Sequence, residues 1–199
     1  MAGPVNVLLL SPYAGALLPT FKRAGDSVDT ILPADDREFA VPPDALRPEW
    51  IVLYGWPYVL RDDFYWRHYK GRIINLHISL LPWNRGADPN FWSWREDTPK
   101  GVTIHQVDKG LDTGPVLVAS EHSLYGPNHT LASSHKALSA TVEGLFATHW
   151  AGIRDGEIGP REQGPGGGNH KRIDIEPFRW ALKDWSLPCA EVAGLEPRP

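Results

Sequence analysis

The chain has 199 residues, a net charge of −4 and 42% apolar side chains, enough for one domain with a full core. Its basic residues are scattered and the cluster His170-Lys171-Arg172 is short, so no face carries the charge that nucleic-acid binding needs. A single cysteine, Cys189, excludes an internal disulfide and a cysteine-rich zinc site. No apolar run reaches the ~20 residues of a membrane span and no charged-then-apolar leader opens the chain, which reads as soluble and cytoplasmic.

Val5 to Leu10 is an unbroken apolar run ahead of the turn Ser11-Pro12-Tyr13-Ala14-Gly15, the pattern of a strand buried on both faces of a parallel sheet. A short helix through Leu17, Leu18 and Phe21 should follow, then a second strand from Val28 to Leu32. Pro33 to Pro48, rich in Pro and Asp, has room for one helical turn. Trp50 to Tyr54 reads as a third strand ended by Gly55 and Pro57, and Asp62 or Asp63 as the cap of a short helix through Tyr69. Ile73 to His77 is the fourth strand. Asp88-Pro89 resembles an N-cap with proline at the first helical position, opening a helix from Asn90 towards Glu96.

Val102 to Val107 and Val116 to His122 have the spacing of a long hairpin, which would make this edge of the sheet antiparallel. Thr130 to Ile153 carries Leu131, Leu138, Val142 and Leu145/Phe146 as an apolar stripe at helical spacing, with Thr130 as N-cap. Gly164 to Gly168 reads as a flexible turn, and a short helix is expected around Phe178 to Leu182. The alternation of strands and helices predicts an α/β fold, Rossmann-like, with an open, mostly parallel sheet over residues 1–155 and a small C-terminal extension over 156–199. Ligands of such sheets bind beyond the carboxyl ends of the strands.

Asn75 and His77 are at one such end, two residues apart, so their side chains leave the same face. Asp112 follows in a glycine-rich loop between two apolar runs. An amide, an imidazole and a carboxylate at a sheet rim can carry out acyl transfer: the amide donates to a developing oxyanion, and the imidazole and carboxylate move protons. His105 and Thr103 lie on one face of the strand before the Asp112 loop. His77, His105 and Asp112 could be imagined as metal ligands, but the close-spaced His/Glu pattern of a zinc hydrolase is missing, and His105 reads better as a structural histidine. Asp112-Thr113-Gly114 also spells the aspartic-protease triplet, whose chemistry needs a second such aspartate in a β-rich fold.

Taken together, Asn75-Leu76-His77, Ser79-Leu80-Leu81-Pro82, Asn84-Arg85-Gly86, Gly101-Val102-Thr103 and Leu111-Asp112-Thr113-Gly114 resemble the formyltransferases that use 10-formyltetrahydrofolate. These include glycinamide ribonucleotide formyltransferase, the catalytic domain of methionyl-tRNA formyltransferase and the N-formyltransferases of amino sugars. The resemblance is specific from Ile73 to Leu117, fair over Val5 to Ile153 and thin beyond. It implies the formyltransferase fold, Asn75, His77 and Asp112 as the catalytic trio, 10-formyltetrahydrofolate as co-substrate and no metal. It also implies a folate pocket walled by Tyr54, Gly55, Trp56, Val59 and Leu60 on one side and by Val107, Asp108, Gly110 and Leu111 on the other.

For the acceptor, the turn Ser11 to Gly15 lacks the Gly-Ser-Asn phosphate cradle of the purine enzyme: Pro12 has no N–H and Tyr13 is bulky. The basic second domain of the tRNA enzyme has no counterpart in these 199 residues. Leu81 to Asn90, with Trp92 after it, looks most like the amino-sugar enzymes. The expected partner is therefore a small-molecule amine, a nucleotide-linked amino sugar or a specialised metabolite, with Tyr13, Trp83, Arg85 and Gly86 as candidate contacts and room for a homodimer. Arg85 could hold a phosphate by two hydrogen bonds or tie down its own loop, and His170-Lys171-Arg172 could contribute if the tail folds back. Glycinamide ribonucleotide formyltransferase, a hydrolase that discharges the formyl group to water, and a non-catalytic folate-binding module are the competing readings.

Overall fold

The computed structural model describes residues 3–33, 47–60, 63–123 and 128–198. In chain order its elements are β1 (Asn6–Leu10), α1 (Ala14–Ala24), β2 (Ser27–Ile31), β3 (Trp50–Tyr54), α2 (Asp63–His68), β4 (Ile73–His77), β5 (Arg85–Gly86) and α3 (Pro89–Arg95). They continue with β6 (Gly101–Gln106), β7 (Val116–Glu121), α4 (Leu131–Arg154), β8 (Asn169–His170), a 3-10 turn Glu176–Ala181 and α5 (Cys189–Val192). The helical turn expected between Pro33 and Pro48, and Asp62 as a cap, lie at positions largely outside the described residues.

Six strands form one sheet in the order β2-β1-β3-β4-β6-β7. β1 to β4 run parallel, while β6 and β7 run antiparallel, as the apolar runs and the hairpin spacing predict. β3 is buried throughout, which is why its sequence shows no polar alternation. Phe21 of α1 and Leu138, Val142, Phe146 and Trp150 of α4 pack on one face of the sheet, and Tyr65 of α2 with Tyr69 packs on the other. Full burial of side chains such as Leu9, Ile51 and Phe146 contributes roughly 1.5–3 kcal/mol each.

Two local expectations change. Asp88 is left-handed (φ 52°) and makes no side-chain cap for α3, because a capping side chain must approach the first N–H groups from an extended backbone. Gly164 to Gly168 is not a free turn: a Cβ on Gly167 (φ 83°) would collide with the Pro82 carbonyl, and the Gly168 carbonyl accepts from the Arg85 N–H at 3.1 Å. The segment thus pairs β8 with β5 in a second, two-stranded sheet.

Further along, Ile175, Phe178, Leu182, Cys189, Val192 and Leu195 form a third apolar cluster with Phe91 and Trp92 of α3 and Leu131 of α4. Thr130 caps α4 through a reciprocal pair with Ser133. The carbonyls of Leu187 and Trp185 accept the Leu131 and Ala132 N–H groups, donors that a helix start leaves without partners of its own.

One buried ion pair fastens the far end of α4. Asp26 accepts from Arg154 Nη1 (2.6 Å), Trp150 Nε1 (2.7 Å) and the Val5 N–H (3.1 Å), and its side chain is fully buried. Asp26→Ala leaves those three donors without their acceptor, and urea unfolding should show a loss of about 3–5 kcal/mol.

Candidate active site

Strand alternation places Ile73, Asn75 and His77 on the α2 face of the sheet, since Ile74 and Leu76 belong to the core under α1 and α4. In the antiparallel register His105 lies opposite Asn75, and Thr103 opposite His77. The loop after β6 folds back over this face, with Val107 packed among the apolar side chains there, and brings Asp112 onto the trio's remaining position.

The carboxylate of Asp112 is 16% exposed and has four neighbours. Oδ2 accepts the Gly86 N–H at 2.8 Å and lies 3.6 Å from His77 Nδ1; Oδ1 accepts from Asn75 Nδ2 at 3.3 Å and lies 3.5 Å from His105 Nε2. Burial alone would raise its pKa, but the His77 and His105 rings and the Gly86 N–H outweigh it and hold the group well below the usual carboxylate range. His77 is lowered too, but by a different cause. Its burial outweighs the attraction of Asp112 and pushes it below 6.5. For the pair, an ionised Asp112 beside a neutral His77 is the resting state, because the Gly86 and Asn75 donors stabilise the carboxylate whatever the imidazole carries.

The tautomers follow from the acceptors. His77 Nε2 is 3.0 Å from the Asn84 carbonyl, which can only accept, so this nitrogen carries the proton and Nδ1 faces Asp112 with a free lone pair. His105 Nδ1 likewise donates to the Gln106 carbonyl at 2.8 Å, leaving Nε2 to accept from Asn75 Nδ2 at 3.3 Å. The Asn75 amide therefore has both hydrogens on long bonds, to Asp112 and to His105, either of which a stronger acceptor could replace. His105, buried and with both ring nitrogens partnered as a structural histidine requires, is also a neighbour of Asn75, His77 and Asp112. Among the described residues no group of three His, Cys, Asp or Glu side chains is arranged to hold a metal ion.

The loop after β4 is held as firmly. Asn84 is fully buried in a left-handed conformation (φ 53°), with Oδ1 accepting from Thr98 at 2.7 Å. Ser79 Oγ donates to the Trp83 carbonyl (2.7 Å), and Thr103 Oγ1 donates to the Ser79 carbonyl (2.8 Å) while accepting the Leu81 N–H (3.0 Å). Gly86 (φ 91°) is glycine for two reasons: a Cβ would collide with the His170 carbonyl and come within 2.8 Å of Leu111 Cδ2.

The remaining candidates divide. Trp56, Leu60 and Val107 share the α2-face cluster, while Val59 is half exposed. Asp108 accepts from the Gly110 N–H (2.9 Å) and Thr113 Oγ1 (2.7 Å), closing the turn that carries Leu111. Tyr54 is not with them: its side chain is on the opposite face, its hydroxyl donating to Glu143 of α4 at 2.7 Å, so only its backbone can face the Trp56–Leu60 wall. The ring of Tyr13, half exposed, packs on Tyr54 at 5.5 Å beside Gly55. Trp83 is partly exposed. Arg85 spends Nε and Nη2 on Gln163 Oε1 (3.0 and 2.7 Å), which favours a loop tie over a two-bond phosphate clamp. His170 pairs with Glu96 (3.0 Å) and stacks on Trp92 at 3.9 Å. Motif reasoning includes Asn84 but assigns nothing to its carbonyl, and it misses Gln163, which lies 51 residues beyond Asp112.

Both shifted groups make acid unfavourable to the fold. The native state binds a proton to His77 less readily than the unfolded chain, so stability should fall as pH drops below about 6.5, and falls further below about 4 as Asp112, ionised when folded, protonates in the unfolded chain. His77→Gln should flatten the first part of that decline in urea-unfolding free energies measured from pH 7 to 5.

The sequence and the fold have relatives among known proteins. A family model for formyl transferases matches residues 32–143. Methionyl-tRNA formyltransferase of Pelobacter propionicus is 32% identical over 96% of this chain and 56% of its own length; that of Desulforamulus reducens is 37% identical over 98% and 58%. The chain thus spans little more than half of these relatives. The structure of the formyltransferase PseJ from Anoxybacillus kamchatkensis, in complex with UDP-4,6-dideoxy-4-formamido-L-AltNAc and tetrahydrofolate, is 40% identical, covers 95% of this chain and 98% of its own, and superposes with a TM-score of 0.84. With residues 32–143 matched by the family model and 95% of its length matched by a structure 40% identical to it, the chain belongs to the formyl transferase family.

Proposed function

We propose that this protein transfers the formyl group of 10-formyltetrahydrofolate to the amine of a nucleotide-linked amino sugar. The observation that carries the chemistry is an ionised carboxylate beside a neutral imidazole and an amide N–H at one sheet rim. The co-substrate supplies a formyl group already activated as the amide of an arylamine. Attack of the acceptor amine turns the formyl oxygen into an oxyanion, which takes over a hydrogen of Asn75 Nδ2 from its long bonds; one such donor is worth ~2.7–4 kcal/mol. The amine's proton passes to Nδ1 of His77, whose Nε2–H stays on the Asn84 carbonyl, and Asp112 stabilises the resulting imidazolium. That proton then goes to N10 of the folate as the C–N10 bond breaks, so the trio ends in its starting state. The apolar side chains of Trp56, Leu60 and Val107 suit the flat heterocycle of the folate.

The acceptor class is supported by the 40% identity to a formyltransferase whose structure holds a formamido UDP-sugar. It is supported also by the turn after β1. There the Ser11 N–H donates to Ile31, the Tyr13 N–H donates to Ser11 Oγ at 2.9 Å, and Pro12 has no N–H, so few backbone donors remain for a phosphate.

Asn75→Ala, His77→Ala and Asp112→Ala should each lower kcat roughly a hundredfold or more while changing folate affinity little, since each group acts on charge that develops only during transfer. Near wild-type turnover by His77→Ala would refute the mechanism. Release of tetrahydrofolate, followed by absorbance, should show kcat/KM for a UDP-linked 4-amino sugar on the order of a hundredfold above that for glycinamide ribonucleotide. The reverse order would assign the purine substrate instead.

A further inference from the structure

Residues 156–170 contain a side chain that the mechanism leaves unused. After α4 the chain returns to the edge of β7, where Arg161 and Val116 exchange two backbone hydrogen bonds of 2.7 and 2.9 Å. Two residues on, Gln163 Nε2 donates to the carbonyls of both Asp112 and Gly114, each at 2.8 Å. Its Oε1 accepts the two-bond fork of Arg85, and the chain then pairs with Arg85 and Gly86 as β8. Gly86 is the residue whose N–H holds the Asp112 carboxylate. A single amide therefore joins the two loops whose separation decides where that carboxylate sits.

Asp112 needs such support. It is left-handed (φ 50°) without being glycine, a conformation that persists where surrounding contacts over-determine it. Gln163 fits the task because an amide has both polarities: its N–H₂ matches two carbonyls and its oxygen matches a guanidinium. The geometry points to Gln163 as a positioning residue for the formyl transfer proposed above: by tying Arg85 to the Asp112 and Gly114 carbonyls, it fixes the Asp112 carboxylate against Asn75 and His77. Its kinetic consequence rests on that functional reading; its geometric consequence does not.

The full-length chain with Gln163→Ala or Gln163→Glu separates positioning from tethering. Glutamate keeps the length and gives Arg85 a stronger acceptor, so it preserves the tie to the tail, but it presents oxygen where the two carbonyls need N–H. With 10-formyltetrahydrofolate and a UDP-linked 4-amino sugar, both variants should lose kcat by roughly 10- to 100-fold with KM for the amine within about threefold. In the ligand-free protein, NMR titration of the His77 ring should move down by roughly half a pH unit in Gln163→Ala, since a looser Asp112 raises His77 less. Wild-type kcat in Gln163→Glu beside a defective Gln163→Ala would make the residue a tether only and overturn the proposal. So would an unmoved His77 titration in Gln163→Ala. If the wild-type chain formylates no amine, the functional reading fails, and the His77 titration still decides the positioning role.

Discussion

A carboxylate as enclosed as Asp112 must be surrounded by donors or it takes up a proton, and the rim of this sheet is built around meeting that demand. The Gly86 N–H and the Asn75 amide donate to its oxygens, and the rings of His77 and His105 stand beside them at 3.6 and 3.5 Å, so that three different segments of chain converge there. Each of those segments is constrained in turn. Gly86 has no room for a side chain, Asn84 is buried in a left-handed conformation, and His105 is oriented by the carbonyl of the next residue. The charge is thus ionised before any substrate arrives, and it is what makes a neutral, buried His77 able to accept a proton.

The same demand explains why the sheet changes direction where it does. The parallel strands β1 to β4 bring the carboxyl end of β4 to the rim, but a parallel neighbour would have carried its following loop away over a helix. The antiparallel β6 instead sets His105 against Asn75 and Thr103 against His77. Its loop can then return across the same face and present Asp112. Thr103, in bridging the Ser79 carbonyl and the Leu81 N–H, also fixes the loop that carries Asn84 to Gly86.

The C-terminal segment closes the arrangement. Its apolar side chains share a core with α3 and α4, its carbonyls cap the start of α4, and its glycines let it approach Pro82 and Arg85 closely enough to pair. On the side proposed for the acceptor, Tyr13 and Trp83 offer partly exposed rings, while in the turn around Tyr13 the Ser11 and Tyr13 N–H groups are already bonded and Pro12 has none.

Local sequence carried the elements and the chemistry of β4. Apolar runs without alternation marked buried parallel strands, the stripe on Leu131, Leu138, Val142 and Phe146 marked α4, and the two-residue spacing of Asn75 and His77 put them on one face. Period and spacing suffice for such features because they depend on neighbours within one strand or helix. Tertiary structure alone decided the rest. Tyr54 is one position from Leu53, and the pleat sends it to the other face, towards Glu143. Asp88 looked like a cap and is not one because its backbone turns left-handed before Pro89. His105 joined the trio through antiparallel register, and Gln163 reached Asp112 only because the tail folds back across the rim. Contacts made over such distances in sequence leave no periodicity behind; they exist only once the sheet has set which loops meet.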